Sequence, residues 1–309
     1  MLNKIAEILK KQKNAVIITH TNPDGDAYGS SFGLKYALES IGVNTDVVLE
    51  EPISHDFEFM GFSPVIYNEN IQSDCVICLD FGELSRCGKC APLFEAAKEK
   101  IVIDHHITDM PLCENHFTDT AAAAASEIVQ RLFKIMNIRL TKKIAEPVYI
   151  GIMTDSGCCR YSNTTKNTLL SLAELIDYVD VGYVNHMIFD VKTKEAFELQ
   201  VRLLAQMQEI NGGDIHYLAV KKEDTQNEDL LNGLVNDALN IEGTKIGILF
   251  KQRDESTVKV SVRSVRDINA AALCKIFGGG GHINAAGCTI NDSFENAVRH
   301  FLEQAAKLV

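Results

Sequence analysis

Two clusters of metal-ligand residues each follow directly on a short β-branched apolar run. His20-Thr21-Asn22-Pro23-Asp24-Gly25-Asp26 follows Ala15-Val16-Ile17-Ile18, and Asp104-His105-His106 follows Ile101-Val102-Ile103. Between them, Cys75-Val76-Ile77-Cys78-Leu79 runs straight into Asp80. Continuous apolar runs of this length suit strands buried on both faces of a parallel sheet. Ligands of open α/β sheets bind beyond the carboxyl ends of such strands, so three segments would deliver acids and imidazoles to one crevice.

The 309 residues suffice for one large or two ordinary domains, and 46% apolar with 23% charged residues describes an ordinary globular protein. The formal charge of −12 opposes a protein that coats long nucleic acid, which needs wide basic surfaces. It leaves room for a small phosphorylated substrate, because bound cations and a few arginines make a pocket locally positive. The first thirteen residues have no apolar core followed by a cleavage site, and no stretch approaches the roughly 18 apolar residues of a spanning helix. A cytoplasmic protein with no membrane partner is expected. Cys75-x-x-Cys78 and Cys87-x-x-Cys90 imitate a zinc ribbon, but the gap between the pairs is short. Reduced, buried thiols are the expectation.

Along the chain, a helix over 28–40 ended by Gly42 leads to a strand over 45–50, the order of a parallel α/β sheet. Helices are expected over 121–136 and 141–153, the latter carrying Pro147, with Asp155 just past its end. Residues 193–210 lack Gly and Pro and read as one long connector helix. Beyond Gly212-Gly213 the pattern restarts: a strand over 215–220, a helix over 229–240, a β pair over 245–250 and 257–263, and a helix over 268–277. The expected domains are residues 1–190 (catalytic), 191–211 (linker helix) and 212–309 (a smaller mixed-sheet α/β domain that binds substrate).

His20, Asp24, Asp26, Asp80, His105 and Asp155 form a set of two histidines and four aspartates. Carboxylate oxygens suit Mn²⁺ and Mg²⁺, and imidazole shifts the preference toward Mn²⁺. Two ions sharing so few ligands need a bridging carboxylate, for which Asp80, alone at its strand end, is the natural candidate. Such a pair stabilises the attacking and leaving oxygens at phosphorus, which predicts phosphate-ester hydrolysis. Taken alone, Asn22-Pro23-Asp24-Gly25 is a turn signal and Asp24 a helix cap. The joint occurrence with two histidines and an Asp-His-His triplet outweighs that reading. His106, beside a ligand, is expected to stabilise charge on the scissile phosphate or to protonate the leaving oxygen.

At these residues the chain resembles the DHH phosphoesterase superfamily, which includes RecJ nucleases, family II inorganic pyrophosphatases and NrnA-type nanoRNases. His20-x-x-x-Asp24-x-Asp26, Asp80, Asp104-His105-His106 and Asp155 fit its motifs. The resemblance implies one Mn²⁺ on His20, Asp24 and Asp80, and another on Asp26, Asp80, His105 and Asp155. Ser261-Val262-Arg263-Ser264 and Gly278-Gly279-Gly280-Gly281-His282-Ile283-Asn284 look like the DHH-associated substrate-binding domain. Four glycines let backbone N–H groups approach an anion, and Arg263 and His282 add charge-assisted bonds, so this is read as a phosphate cradle on a mobile loop. Ser264, Gly279, Gly280, Gly281, Asn284 and Arg160 complete the expected substrate contacts. Similarity to NrnA-type enzymes implies removal of 5′-mononucleotides from short oligoribonucleotides and of the 3′-phosphate from 3′-phosphoadenosine 5′-phosphate. Cleavage of cyclic di-AMP or linear pApA is the alternative. A homodimer is compatible with either.

Overall fold

The apolar runs form the centre of one parallel sheet in the computed structural model, which describes every residue except 109, 225–227, 232 and 266. Its strands are β1 (Asn14–Ile18), β2 (Asn44–Leu49), β3 (Val65–Ile66), β4 (Cys75–Leu79), β5 (Glu99–Asp104) and β6 (Asn115–Thr118), in the order β3-β2-β1-β4-β5-β6. Alternate residues serve two cores. Ile17, Val47, Ile77 and Ile101 pack against one apolar layer, whereas Val16, Val48, Val76 and Val102 pack against the other with Phe81, Leu93 and Phe94. Burial on both faces explains why these strands read as continuous apolar runs rather than alternating ones. β2 lies to one side of β1 and β4 to the other. The carboxyl ends of β1 and β4 therefore flank a topological switch point, where such sheets open a crevice.

Three glycines bring two helices close together beside that crevice. Gly25, Gly29 and Gly33 recur every four residues on the helix Gly25–Ser40 and face the helix Lys142–Asp155. A Cβ on Gly29 would stand 2.4 Å from the Pro147 carbonyl oxygen, and one on Gly25 would stand 2.3 Å from Thr154 Oγ1. The close crossing brings the start of one helix, with Asp24 and Asp26, to the end of the other, with Asp155. Gly29→Val is expected to destabilise the fold by about 2–3 kcal/mol through overpacking. Thermal denaturation should show a midpoint about 5–10 °C lower; an unchanged midpoint would mean the helices do not need the close approach.

The chain divides into two units, Met1–Val191 and Lys192–Val309. The second holds a mixed sheet of β7 (Gln208–Ile210), β8 (Ile215–Val220), β9 (Ile246–Gln252), β10 (Thr257–Ser264), β11 (Gly280–His282) and β12 (Ala285–Asn291), in the order β11-β12-β10-β9-β8-β7. β8 and β9 are parallel, and the other pairs are antiparallel. Ile215, Ile248, Val258, Val260 and Val262 face a core with Phe301.

Some elements differ from expectation. The long helix expected over 193–210 stops at Leu204, and Gln208–Ile210 instead pairs with β8. Asn211, Gly212 and Gly213 all take positive φ there, the geometry of a tight reversal, and ladder pairing overrides the local helix propensity. Leu199 and Leu203 of the shortened helix are buried against Leu218, Val220 and Leu249, so this helix packs within the second unit. The helix expected over 229–240 is confined to Leu234–Leu239, after a short 3₁₀ turn at Glu228–Leu231, and its Asn232 lies outside the described residues. Cys75, Cys78, Cys87 and Cys90 are buried thiols, and burial pushes Cys75 and Cys90 up to about 12. No helix among the described residues is long and apolar enough to cross a membrane.

Candidate metal centre and substrate face

His20 lies two residues past β1, Asp80 directly past β4, and His105 directly past β5. Asp80 takes φ +64°, a left-handed conformation that costs a non-glycine residue about 1–3 kcal/mol. In that conformation its two carboxylate oxygens serve two groups. Oδ2 is 3.4 Å from His20 Nε2, and Oδ1 is 3.3 Å from His105 Nε2. His20 Nε2 is also 3.9 Å from Asp24 Oδ1. His105 Nε2 is 3.1 Å from Asp155 Oδ2 and 3.9 Å from Asp26 Oδ2. The side chains thus gather as His20, Asp24 and Asp80 on one side and Asp26, His105 and Asp155 on the other, with Asp80 between them.

Second contacts fix these ligands. His20 Nδ1 is 2.8 Å from the Thr21 carbonyl, so Nδ1–H donates there and Nε2 presents its lone pair to the acids. Asp24 is the N-cap of its helix, its Oδ1 accepting from the N–H groups of Asp26 and Ala27. It is both the cap that the turn signal suggested and a member of the cluster. Asp26 is fully buried and accepts from the N–H groups of Ala125 and Ser126, at 2.5 and 2.9 Å. It thereby caps a helix 99 residues away, which begins at Ala125 rather than at 121. Asp155 is the last residue of the helix Lys142–Asp155. Asn163 Nδ2 donates to the carbonyls of Asp155 and Ala123, fastening that end to the Asp26 side.

Charge and burial together fit a cationic occupant. Burial, reinforced by the charges of Asp80 and Asp155, pushes the Asp26 carboxyl well above its usual range. Burial works against charge on His105, yet the adjacent carboxylates of Asp155, Asp80 and Asp26 outweigh it and push the imidazole up to about 12. Burial likewise opposes charge on Asp80, but His105 and His20 hold its carboxyl below the usual range. The acids draw positive charge into the cluster. Asp80 Oδ1 and His105 Nε2 are buried without a hydrogen-bond partner, which in a native site calls for an ion or water. Four carboxylates, two imidazoles and these unsatisfied buried atoms suit a pair of hard divalent cations.

His106 also reaches the cluster, grouping with Asp80 and His105, its ring edge-on to that of His105 at 4.4 Å between centroids. Its Nδ1 is 2.8 Å from Asp104 Oδ1 and 3.6 Å from Asp80 Oδ1, and its side chain is 28% exposed where that of Asp104 is fully buried. Asp104 is a partner that the sequence left without a role. A carboxylate at Nδ1 fixes the orientation and the tautomer of the ring. Asp104→Asn is expected to lower kcat about 100-fold while the far-ultraviolet circular dichroism holds. A kcat within twofold of wild type would make the pair merely structural. Arg160 is exposed, with Nε donating to the Gly157 carbonyl at 2.7 Å after three consecutive positive-φ residues, Gly157, Cys158 and Cys159.

In the second unit, Arg263 and His282 both register with Ala285 across neighbouring strands. They therefore share a sheet face, about 10 Å apart, with only a methyl group between them. The glycine run is not the loop expected: Gly280–His282 is the edge strand β11. Glycine is required where the backbone lies against β12, because a Cβ on Gly279 would meet the Gly287 carbonyl at 2.2 Å and one on Gly281 the Ala285 carbonyl at 2.6 Å. Gly280 faces open space, and an edge strand keeps backbone groups available for a ligand. Ser264 and Asn284 are not brought to that face. Ser264 lies on the core side with its hydroxyl donating to the Ile268 carbonyl, and the Asn284 amide donates to Ser264 Oγ and the Val265 carbonyl. Both brace the turn behind Arg263.

Comparison with known proteins agrees with this architecture. The profile described as the DHH family N-terminal domain matches residues 14–152, and that of the DHHA1 domain matches residues 212–309. The chain is 32% identical over 299 residues to the bifunctional oligoribonuclease and PAP phosphatase NrnA of Thermus thermophilus, covering 93% of this chain and 87% of that protein. It is 25% identical to the protein of the same name from Bacillus subtilis, covering 94% and 93%. Among solved structures, an exopolyphosphatase-related protein of Bacteroides fragilis superposes with a TM-score of 0.90 at 26% identity, over 99% of this chain and 95% of that one. RecJ of Thermus thermophilus in complex with Mn²⁺ shares the fold at a TM-score of 0.61 and 14% identity, over 98% of this chain and 53% of RecJ. With both domain profiles in their expected order and a relative matched along nearly its whole length, the chain belongs to the DHH family of phosphoesterases and carries a C-terminal DHHA1 domain.

Proposed function

We propose that this protein is a Mn²⁺-dependent cytoplasmic hydrolase of short oligoribonucleotides, releasing 5′-mononucleotides, that also removes the 3′-phosphate of 3′-phosphoadenosine 5′-phosphate. The observation that carries the reading is Asp80, one carboxylate turned by a left-handed backbone between two ligand groups. The names of the NrnA relatives at 25% and 32% identity support the substrate class.

The proposed ligands are His20, Asp24 and Asp80 for one ion and Asp26, Asp80, His105 and Asp155 for the other, with Mg²⁺ as the substitute. Bound there, the ions would supply an activated water and neutralise charge on the phosphate. The chain's own contribution is orientation and proton handling. His106, oriented at Nδ1 by Asp104, is the candidate group for protonating the leaving ribose oxygen. Arg263, His282 and the edge of β11 grip a phosphate of the substrate on the second unit. Both reactions break a bond between phosphorus and a ribose oxygen, so one centre serves both.

Mass spectrometry of products from a short linear RNA, 3′-phosphoadenosine 5′-phosphate and cyclic di-AMP, each with Mn²⁺, tests this. Mononucleotides from the first and AMP from the second are expected. Turnover of cyclic di-AMP alone would overturn the reading.

A further inference from the structure

The face of the second sheet that carries Arg263 has a second cationic end. Along β10 the residues alternate strictly: Val258, Val260, Val262 and Ser264 are buried, while Thr257, Lys259, Ser261 and Arg263 are half-buried on the opposite face. Lys259 pairs directly with Lys251 of β9. Directly opposite residues of an antiparallel pair hold their side chains on one face about 5 Å apart. Among the described residues Lys259 has no ion-pair partner, on a chain whose net charge is −12. An ammonium group so placed on the open face of an acidic protein marks a place where an anion is favoured.

The ground between the two ends is flat. Ser261 registers with Gly287, and Gly287 with Gly280, so the row between Arg263 and Lys259 carries almost no side-chain volume. A cavity of about 390 Å³ lies there, lined by Lys259, Ser261, Gly278, Gly279, Gly287 and Thr289. Lys259 stands four residues from Arg263, about 13 Å along an extended strand. No single phosphate spans that length, and two phosphates on one ribose sit much closer together. A chain of nucleotides fits.

We propose that Lys259, with Lys251 beside it, is a second phosphate subsite that holds an oligonucleotide at a phosphodiester distant from the one gripped by Arg263 and His282. Resting on the substrate class argued above, this makes Lys259 a determinant of length preference: it aids oligomers and leaves a single nucleotide indifferent.

The test uses the full chain with Mn²⁺, a labelled five-nucleotide RNA and 3′-phosphoadenosine 5′-phosphate, comparing wild type with Lys259→Ala, Lys259→Glu and Lys259→Arg. Lys259→Ala is expected to raise KM for the oligomer about tenfold, the scale of one charged hydrogen bond, with kcat held. Lys259→Glu should raise it further and Lys259→Arg restore it. The slope of log KM against log salt should fall by about 0.7 for the lost contact. KM for the single nucleotide should stay within twofold. Equal losses on both substrates, or no loss on the oligomer, would overturn the subsite. If wild type cleaves neither substrate, the proposed activity fails separately. Fluorescence anisotropy of the same RNA in EDTA then decides, with weaker binding by Lys259→Glu supporting the subsite and unchanged binding overturning it.

Discussion

Asp80→Asn is expected to lower turnover of both the oligoribonucleotide and the bisphosphate nucleoside by about 1,000-fold or more while the chain stays folded. The substitution keeps the shape of the side chain and removes its charge. Each oxygen of Asp80 faces a different imidazole, at 3.4 Å and 3.3 Å, so a single change weakens both ligand groups at once. Asparagine tolerates the φ of +64° as well as aspartate does, so lost activity would not be lost backbone geometry. Steady-state assays on both substrates at saturating Mn²⁺, with thermal denaturation as the control for folding, provide the measurement. Loss on one substrate with retention on the other would break the shared-centre account.

Metal binding should also change stability, and more so as pH rises. Asp26 is fully buried, and its carboxyl is raised by burial and by the charges of Asp80 and Asp155. A group whose folded pKa is raised contributes stability below its unfolded pKa, and that contribution is lost as pH rises through the folded value. The metal-free protein is therefore penalised above the ordinary carboxylate range. A cation relieves the penalty, and it must displace the protons on Asp26 and His105 to bind, so affinity increases with pH. At a Mn²⁺ concentration about 100-fold above Kd the gain is about 2.7 kcal/mol. For a unit of this size the denaturation midpoint should rise by about 5–10 °C. The rise should be larger at pH 8 than at pH 5. Calorimetry in two buffers of different ionisation enthalpy should show proton release on binding. A midpoint insensitive to Mn²⁺, or a shift that grows as pH falls, would contradict the charge argument.

The legible parts of this protein are those fixed by residues close in sequence. Runs such as Ala15–Ile18 and Ile101–Ile103 announce buried strands, and the polar residues that follow announce the crevice, so the candidate ligands can be named before any coordinates. What escapes is set by partners far away. The helix start at Ala125 depends on the carboxylate of Asp26, and five consecutive alanines beginning at 121 give no hint of it. The spacing of Gly25, Gly29 and Gly33 is visible, but its meaning requires the facing helix with Pro147 and Gly151. Gln208–Ile210 has the composition of a helix end and becomes a strand because β8 offers it a ladder. Glycines 280 and 281 have poor strand propensity and pair only because β12 folds back on them. Asp104 stands in the most conspicuous triplet of the chain, yet its bond to His106 is a matter of side-chain direction that spacing alone does not convey.

Six side chains of the first unit are expected to hold a pair of divalent ions. Equilibrium dialysis of the metal-free protein against Mn²⁺, followed by elemental analysis, tests that most directly. The prediction is two ions bound per wild-type chain, with both sites weakened together in Asp80→Asn. Binding of no ion, or an Asp80→Asn chain that keeps both at wild-type affinity, would contradict it.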